Sequence, residues 1–311
     1  MTINENLAKL HGYDVVDFEA GEPLPDPTQN AVRLTLRFDG PFSEFSDLWA
    51  EFMNSTGVER TQALVIGNWG NPDDGPTSSE PAVALMVASA DRLADLRALF
   101  FGDVTSEENE ISWIEQSDLS AFWGAFPNLE ELGIRGGNHL QLGGIRHAKL
   151  QTLKVEAGGL PRAVVHEIGA ADLPALEHLE IWLGTENYGG DSGPQDLAGI
   201  LDGTRFPKLV TLALRNCAWA DDLAAAIATA PILGRIRRLD LSMGTLGDAG
   251  VDALVASPAV HRLQHINIEH HYVSDDGVAK LTALGIDVNA EDRQQADSDN
   301  GQEHRYIAVS E

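Results

Sequence analysis

Displaced by 27 residues near its C-terminal end, the chain overlays itself. Trp219, Leu246 and Val273 align, as do Asp221, Asp248 and Asp275, and Ile227, Leu254 and Leu281; Gly250-Val251 matches Gly277-Val278. Ahead of each copy stands a six-residue segment with apolar residues at positions 1, 4 and 6: LVTLAL from Leu209, IRRLDL from Ile236 and LQHINI from Leu263. The pattern continues upstream as LEHLEI from Leu176, LQTLKV from Leu150, LEELGI from Leu129, LRALFF from Leu96 and TQALVI from Thr61, the last with a weak first position. Taken at position 4, the markers Leu64, Leu99, Leu132, Leu153, Leu179, Leu212, Leu239 and Ile266 are 35, 33, 21, 26, 33, 27 and 27 residues apart. A repeat of this size means a stack of small supersecondary units.

Each hexamer reads as a strand, and the segments between read as helices. ADDLAAAIATA, GDAGVDALVAS and SDDGVAKLTAL are the regular ones, with Asp221 or Asp222, Asp248 and Asp275 placed to cap helix starts. EPAVALMVASADRL, DLSAFWGAF and PRAVVHEIGAA are less regular versions, and the 21-residue interval after Leu132 leaves room for little more than a turn. One strand–helix unit cannot bury its own apolar face, but stacked units bury a continuous core. Length alone would suggest about two domains; the repeats replace that with one solenoid over residues 61–289. In residues 1–60, AVRLTLRF reads as a strand and FSDLWAEFMNS as a helix with Phe45, Leu48, Trp49 and Phe52 on one side, together a cap for the first repeat. Residues 290–311 read as an acidic, mobile tail, in which HRYIAVSE regains strand-like character and is placed to fold back or to meet a partner.

With LDLSMGTLGDAGVDALVASPAVHRLQHINI as its best segment, the chain resembles leucine-rich-repeat proteins of the long-repeat, ribonuclease-inhibitor-like type, and more loosely bacterial cytoplasmic leucine-rich-repeat proteins. The resemblance implies an α/β horseshoe with parallel strands on the concave face, helices on the convex face, and protein binding as the usual role. One departure is clear. The Asn or Cys usual at position 9 is met only by Cys217; the other repeats carry Trp69, Val104, Gly137, Gly158, Gly184, Gly244 and His271, so the ladder of side chains at the strand ends should be incomplete.

Because side chains alternate along a strand, positions 3, 5 and 7 of each hexamer face away from the helices. The early repeats place small or apolar residues there, among them Ala63, Val65, Ala98 and Phe100. The later ones place charge and aromatic character: Glu131 and Arg135; Lys154 and Glu156; His178, Glu180 and Trp182; Arg215; Arg238 and Asp240; His265 and Glu269. Trp and Arg are frequent binding hot spots, so Phe100, Arg135, Lys154, His178, Trp182, Arg215, Arg238, His265 and Glu269 form the candidate partner-binding set. The competing reading is a solvated face of intramolecular ion pairs, such as Lys154 with Glu180.

The densest chemical cluster is HINIEHHY, where His265, Glu269 and His270 invite a zinc-like reading and hence an alternative function as a metal-binding sensor or metal-dependent enzyme. Other motifs are incomplete. HEIGA at His166 has Ala170 where a zinc protease has its second histidine. GGDSGP, in the insertion ENYGGDSGPQ, lacks one glycine of the serine-protease signature and its partners; DSDNG lacks the spacing and final Glu of a calcium loop. No Gly-rich phosphate loop ends in Lys-Ser or Lys-Thr.

Charge sets the class of partner. With 21 Lys+Arg against 48 Asp+Glu the net charge is −27, which argues against nucleic acid and anionic membranes and favours a basic protein. A hydrophobic fraction of 43% supports a substantial core. The single Cys217 excludes an intrachain disulfide and reads as a packed thiol. MTINENLAKLHGYDVVDF lacks the basic segment and long apolar run of a signal peptide, and no stretch is long and apolar enough to span a bilayer. Arginine outnumbers the five lysines, as in high-GC bacterial genomes. The expectation is a cytoplasmic, non-enzymatic interaction module without a cofactor, its oligomeric state open.

Overall fold

A computed structural model describes residues 3–36, 40–70, 78–299 and 301–311. Strands β1 (Lys9–Leu10), β2 (Tyr13–Asp17) and β3 (Asn30–Leu34) come first. The eight hexamers supply β4 (Ala63–Ile66), β5 (Ala98–Phe101), β6 (Glu131–Arg135), β7 (Thr152–Glu156), β8 (His178–Gly184), β9 (Thr211–Cys217), β10 (Arg238–Asp240) and β11 (His265–Asn267). β12 (Asp287–Asn289) follows from the apolar end of the last repeat. They make one 12-stranded sheet in chain order, parallel except for the β1–β2 pair.

The register repeats the sequence markers. Val32 pairs with Leu64, and the row runs on through Leu99, Leu132, Leu153, Leu179, Leu212, Leu239 and Ile266 to Val288. Every member from Val32 to Ile266 is fully buried, because position 4 points at the helices. Those helices are α1 (Phe42–Asn54), α2 (Glu80–Ala88), α3 (Phe122–Ala125), α4 (Arg162–Gly169), α5 (Ala198–Leu201), α6 (Ala220–Ala228), α7 (Asp248–Val255) and α8 (Asp275–Thr282). One continuous apolar core runs between sheet and helices from Phe18 to Leu281. The chain is thus an open α/β solenoid of leucine-rich-repeat type, with its strands in one sheet and its helices covering one face.

α1 buries Phe45, Leu48, Trp49 and Phe52, the side expected from its spacing. In AVRLTLRF the strand covers Ala31 to Leu34; Arg37 and Phe38 lie outside the described residues. The 21-residue repeat holds no helix between β6 and β7. Its returning segment is tied by the Asp118–Gln141 and Arg146–Asp172 bridges and by Trp123 Nε1 donating to Leu142 O at 2.7 Å.

The capping aspartates act differently from expectation. Asp221 and Asp248 do not cap their own helices. Asp221 Oδ1 accepts from Gly247 N (2.7 Å) and Gly250 N (3.0 Å), and Asp248 Oδ1 accepts from Ser274 N (2.8 Å). Each carboxylate therefore clamps the start of the next repeat's helix. α8 is capped by Ser274, whose hydroxyl accepts from Gly277 N at 3.1 Å, while Asp275 pairs with Arg293.

Both terminal segments lie against the solenoid. Leu7 and Leu10, with Tyr13 and Val15, pack over the helix-free face of the first repeats. At the other end an antiparallel ribbon, β13 (Asp297–Asp299) and β14 (Gln302–His304), leads into residues 305–311, which run back over the ends of the later strands. Helices long and apolar enough to cross a membrane are absent from the described residues.

Candidate functional site

The helix-free face divides into three zones. The first is apolar and closed: Ala63, Val65, Ala98 and Phe100 form a separate cluster with Leu10 and Ala31 beneath the N-terminal segment. Small residues at position 3, Ala63 and Ala98, leave room for that cover. Phe100 is consequently buried, with the Arg135 guanidinium 5.3 Å from its ring centroid.

The second zone is a charged ladder along position 7 and its neighbours. Asp103, fully buried, accepts from Leu7 N at 3.0 Å and meets Arg33 Nη1 at 3.2 Å and Arg135 Nη1 at 3.4 Å. Arg135 Nε in turn donates to Glu156 Oε2 at 2.8 Å, and Nη1 to Val104 O at 2.9 Å. Burial pushes the Glu156 carboxyl up, with Arg135's charge opposing that shift. One strand on, Glu180 accepts from Trp182 Nε1 and Arg215 Nη1, both at 2.8 Å, and lies 3.4 Å from His178 Nε2. Burial alone would raise the Glu180 carboxyl; its hydrogen bonds from His178, Trp182 and Arg215 and the Arg215 charge outweigh that and hold it well below the usual carboxylate range. Arg215 stacks over Trp182 at 5.4 Å and lies 3.8 Å from Asp240.

The third zone is open. The position 3 row Thr152, His178, Thr211, Arg238, His265 and Asp287 runs in register across six strands, and all six are partly or fully exposed. Beside it, position 5 contributes Lys154, Asp240, Asn267 and Asn289. Asp240, Asn267 and Asn289 do a second job. Each accepts, through a side-chain oxygen, from the backbone N–H two residues on, at Ser242 (2.9 Å), Glu269 (3.1 Å) and Glu291 (3.2 Å). Taking that N–H away from the neighbouring strand ends β10, β11 and β12 after three residues, where β8 and β9 run for seven.

The candidate residues thus fall into two groups. Phe100, Arg135 and Trp182 are buried. Lys154, His178, Arg215, Arg238, His265 and Glu269 keep exposure on the open or half-open part of the face. Lys154 pairs with Glu131 at 3.9 Å rather than with Glu180, whose carboxylate is already taken by Arg215, Trp182 and His178. The sequence did not single out Asp103, Asn216 or Met243. Asn216 and Met243 share position 8 with His270, and all three adopt the left-handed backbone region (φ 54°, 66° and 58°). Their 27-residue spacing was the one available signal.

The metal alternative is not supported. His265 Nδ1 turns to Asp287 (2.7 Å), Glu269 Oε2 to Asn289 (3.4 Å), and His270 to Asp292 (3.4 Å) and Tyr306 O (3.2 Å). Among the described residues no group of three or more His, Cys, Asp or Glu side chains is arranged to hold a metal ion. His271 does serve as the position 9 ladder residue: its Nδ1 accepts from Val273 N at 2.9 Å and Nε2 donates to Ala290 O at 3.1 Å. Cys217 is buried, and burial pushes its thiol pKa far up, consistent with packing rather than reactivity. His166 lies on the surface of α4 and meets Asp196 at 2.8 Å.

No family model matches the chain, and no curated protein does. Among solved structures it is similar to a Bacteroides fragilis protein determined by the Northeast Structural Genomics Consortium, with a TM-score of 0.77 and 29% identity over 85% of this chain and 74% of that one. An internalin (inlF) of Listeria monocytogenes aligns with 86% of this chain and 79% of its own length at 10% identity and a TM-score of 0.28.

Proposed function

We propose that the protein is a non-enzymatic interaction module of the ribonuclease-inhibitor-like kind, acting in a bacterial cytoplasm and binding another protein on the open zone of its helix-free face. The observation that carries this is the uncovered row from Thr152 to Asp287. A rigid parallel sheet presents six polar side chains in register there, while the chain's own segments cover the apolar part of the same face. Rigid strands hold such groups at fixed spacing, so little ordering entropy is lost on binding. Arg238 and His265 are the central contacts of this reading, with His178, Lys154, Arg215 and Glu269 around them. Because the net charge is −27, the favoured partner is basic, attracted over distance before the local contacts form.

The test is affinity capture from the native cell with wild type, with Arg238→Ala plus His265→Ala, and with Lys280→Ala on α8 as a control. A protein retained by wild type and the control but lost from the double variant supports the reading. One retained equally by all three overturns it. With that protein in hand, charge reversal at the exposed Glu269 and Asp287 should slow association at least several-fold at low salt and little at high salt, as stopped-flow mixing would show.

A further inference from the structure

Residues 305–311 occupy a site built to take an extended polypeptide. Asn216, fully buried, pairs with Val309 in both directions: its Nδ2 donates to Val309 O and its Oδ1 accepts from Val309 N at 3.0 Å. Ala308 N donates to Met243 O at 2.8 Å, and Ser112 Oγ donates to Ser310 O at 2.5 Å. These contacts read main chain, not side-chain identity. The side chains of Ala308 and Val309 join an apolar cluster with Ile111, Trp182 and Met243, against which Ile3 packs. Gly158 completes the floor, since a Cβ there would overlap Ser310 O. Four different repeats or their loops thus converge on a three-residue stretch of backbone.

Outside that stretch the occupant is held through exposed contacts: Tyr306 N donates to Tyr272 Oη (2.8 Å), Tyr306 O accepts from Tyr272 Oη (3.0 Å) and lies 3.2 Å from His270 Nε2, and Glu311 accepts from the Tyr188 hydroxyl. Of residues 305–311 only Ala308 and Val309 are buried. The ribbon that delivers them exposes Asp297, Ser298, Asp299, Glu303 and His304. Arg305 fastens the near end to Asp221 (3.1 Å) and Thr245 O (3.2 Å).

We propose that this groove is a second binding site, for an extended segment of a partner protein in which a small residue precedes a β-branched one, and that the chain's own 305–311 holds it closed. Main-chain pairing supplies the affinity and the Trp182 cluster the selectivity, as in other sites that accept an added strand. The tethered segment competes at a high effective concentration, so a ligand in trans binds well only when the tether is out. The site is separate from the open row, and the Arg238 and His265 variants leave it intact.

The experiment uses the full-length chain and a fluorophore-labelled peptide, Arg-Tyr-Ile-Ala-Val-Ser-Glu. Val309→Asp prevents the tether from seating, and Ala308→Asp does so independently should the first variant lose its native circular dichroism. The variant is expected to bind the peptide saturably, at least tenfold more tightly than wild type, with a change in Trp182 emission. Adding Asn216→Asp, which removes the donor to the carbonyl, should weaken that binding at least fivefold. A folded variant that shows no saturable binding, or binding equal to wild type's, overturns the proposal. So does a wild-type dimer with crosslinks between position 309 of one copy and position 216 of the other, which would make the site an exchange contact between copies.

Discussion

Asp248 and Gly277 show how single residues set the repeat. The Asp248 carboxylate accepts from Ser274 N and lies where a Cβ on Gly277 would be only 2.5 Å from Oδ1; Asp221 and Gly250 stand in the same relation at 2.7 Å. The aligned Asp and Gly columns of the sequence are therefore one device, a carboxylate reaching across a repeat boundary into space that glycine leaves. Gly277→Ala should cost about 1–3 kcal/mol in urea unfolding, Asp248→Ala about 1 kcal/mol, and the double variant somewhat less than the sum, because removing the carboxylate relieves one of the methyl's two closest contacts, the other being Val273 Cγ1 at 2.5 Å. His147 and His271 offer a pH test. Each accepts a backbone N–H at Nδ1 and donates to a carbonyl at Nε2, and burial depresses the pKa of both below the ordinary 6.5. The unfolded chain then binds the proton first on acidification, so stability is complete above about pH 6.5 and falls as pH drops through the window below it. Denaturant titrations at pH 7 and 5.5 should show that loss, and His271→Asn should reduce it.

Among the elements, the ladder from β3 to β9 is where pairing matters most. Arg135 on β6 joins Asp103, just beyond β5, to Glu156 on β7, all three buried. Arg135→Met leaves Glu156 without its partner and should destabilise by roughly 3–5 kcal/mol, the usual cost of an uncompensated buried charge. Lys280→Met, breaking the exposed Lys280–Asp252 pair, should cost under about 1 kcal/mol. Thermal melts of the two variants side by side check the contrast. Glu180 adds a pH signature of the opposite kind to that of Glu156. Its depressed pKa means stability present above the ordinary value of 4.5 and lost as pH falls below it.

For the molecule as a whole, stability is a sum of neighbour interactions along one axis. α8 and β12 have neighbours on one side only, and β12 is an edge strand. Native-state hydrogen exchange should therefore be slowest in β5 to β8 and fastest toward β12, with a gradient rather than one cooperative step; uniform protection would contradict the nearest-neighbour picture. The charge of −27 is partly spent inside this array, at Asp103, Glu156 and Glu180 on the sheet and Asp221 and Asp248 between helices. What remains outside governs association more than fold.

Periodicity was enough to place all eight hexamer strands in the right order and register, because a 1-4-6 apolar pattern can bury itself only by stacking on copies of itself, and that is a local rule written in every repeat. It also divided the sheet's two faces correctly, since alternation along a strand is a matter of covalent geometry. It could not show that Phe100, Arg135 and Trp182 would be covered. That depends on residues 3–15 and 305–311, which carry no repeat pattern and find their places through contacts such as Leu7 with Asp103, some hundred residues apart, and Val309 with Asn216. Nor could spacing show that Asp221 and Asp248 reach forward to the next helix, or that His265, Glu269 and His270 diverge. Those choices are made by the directions of side chains across repeat boundaries, which exist only once the units have stacked.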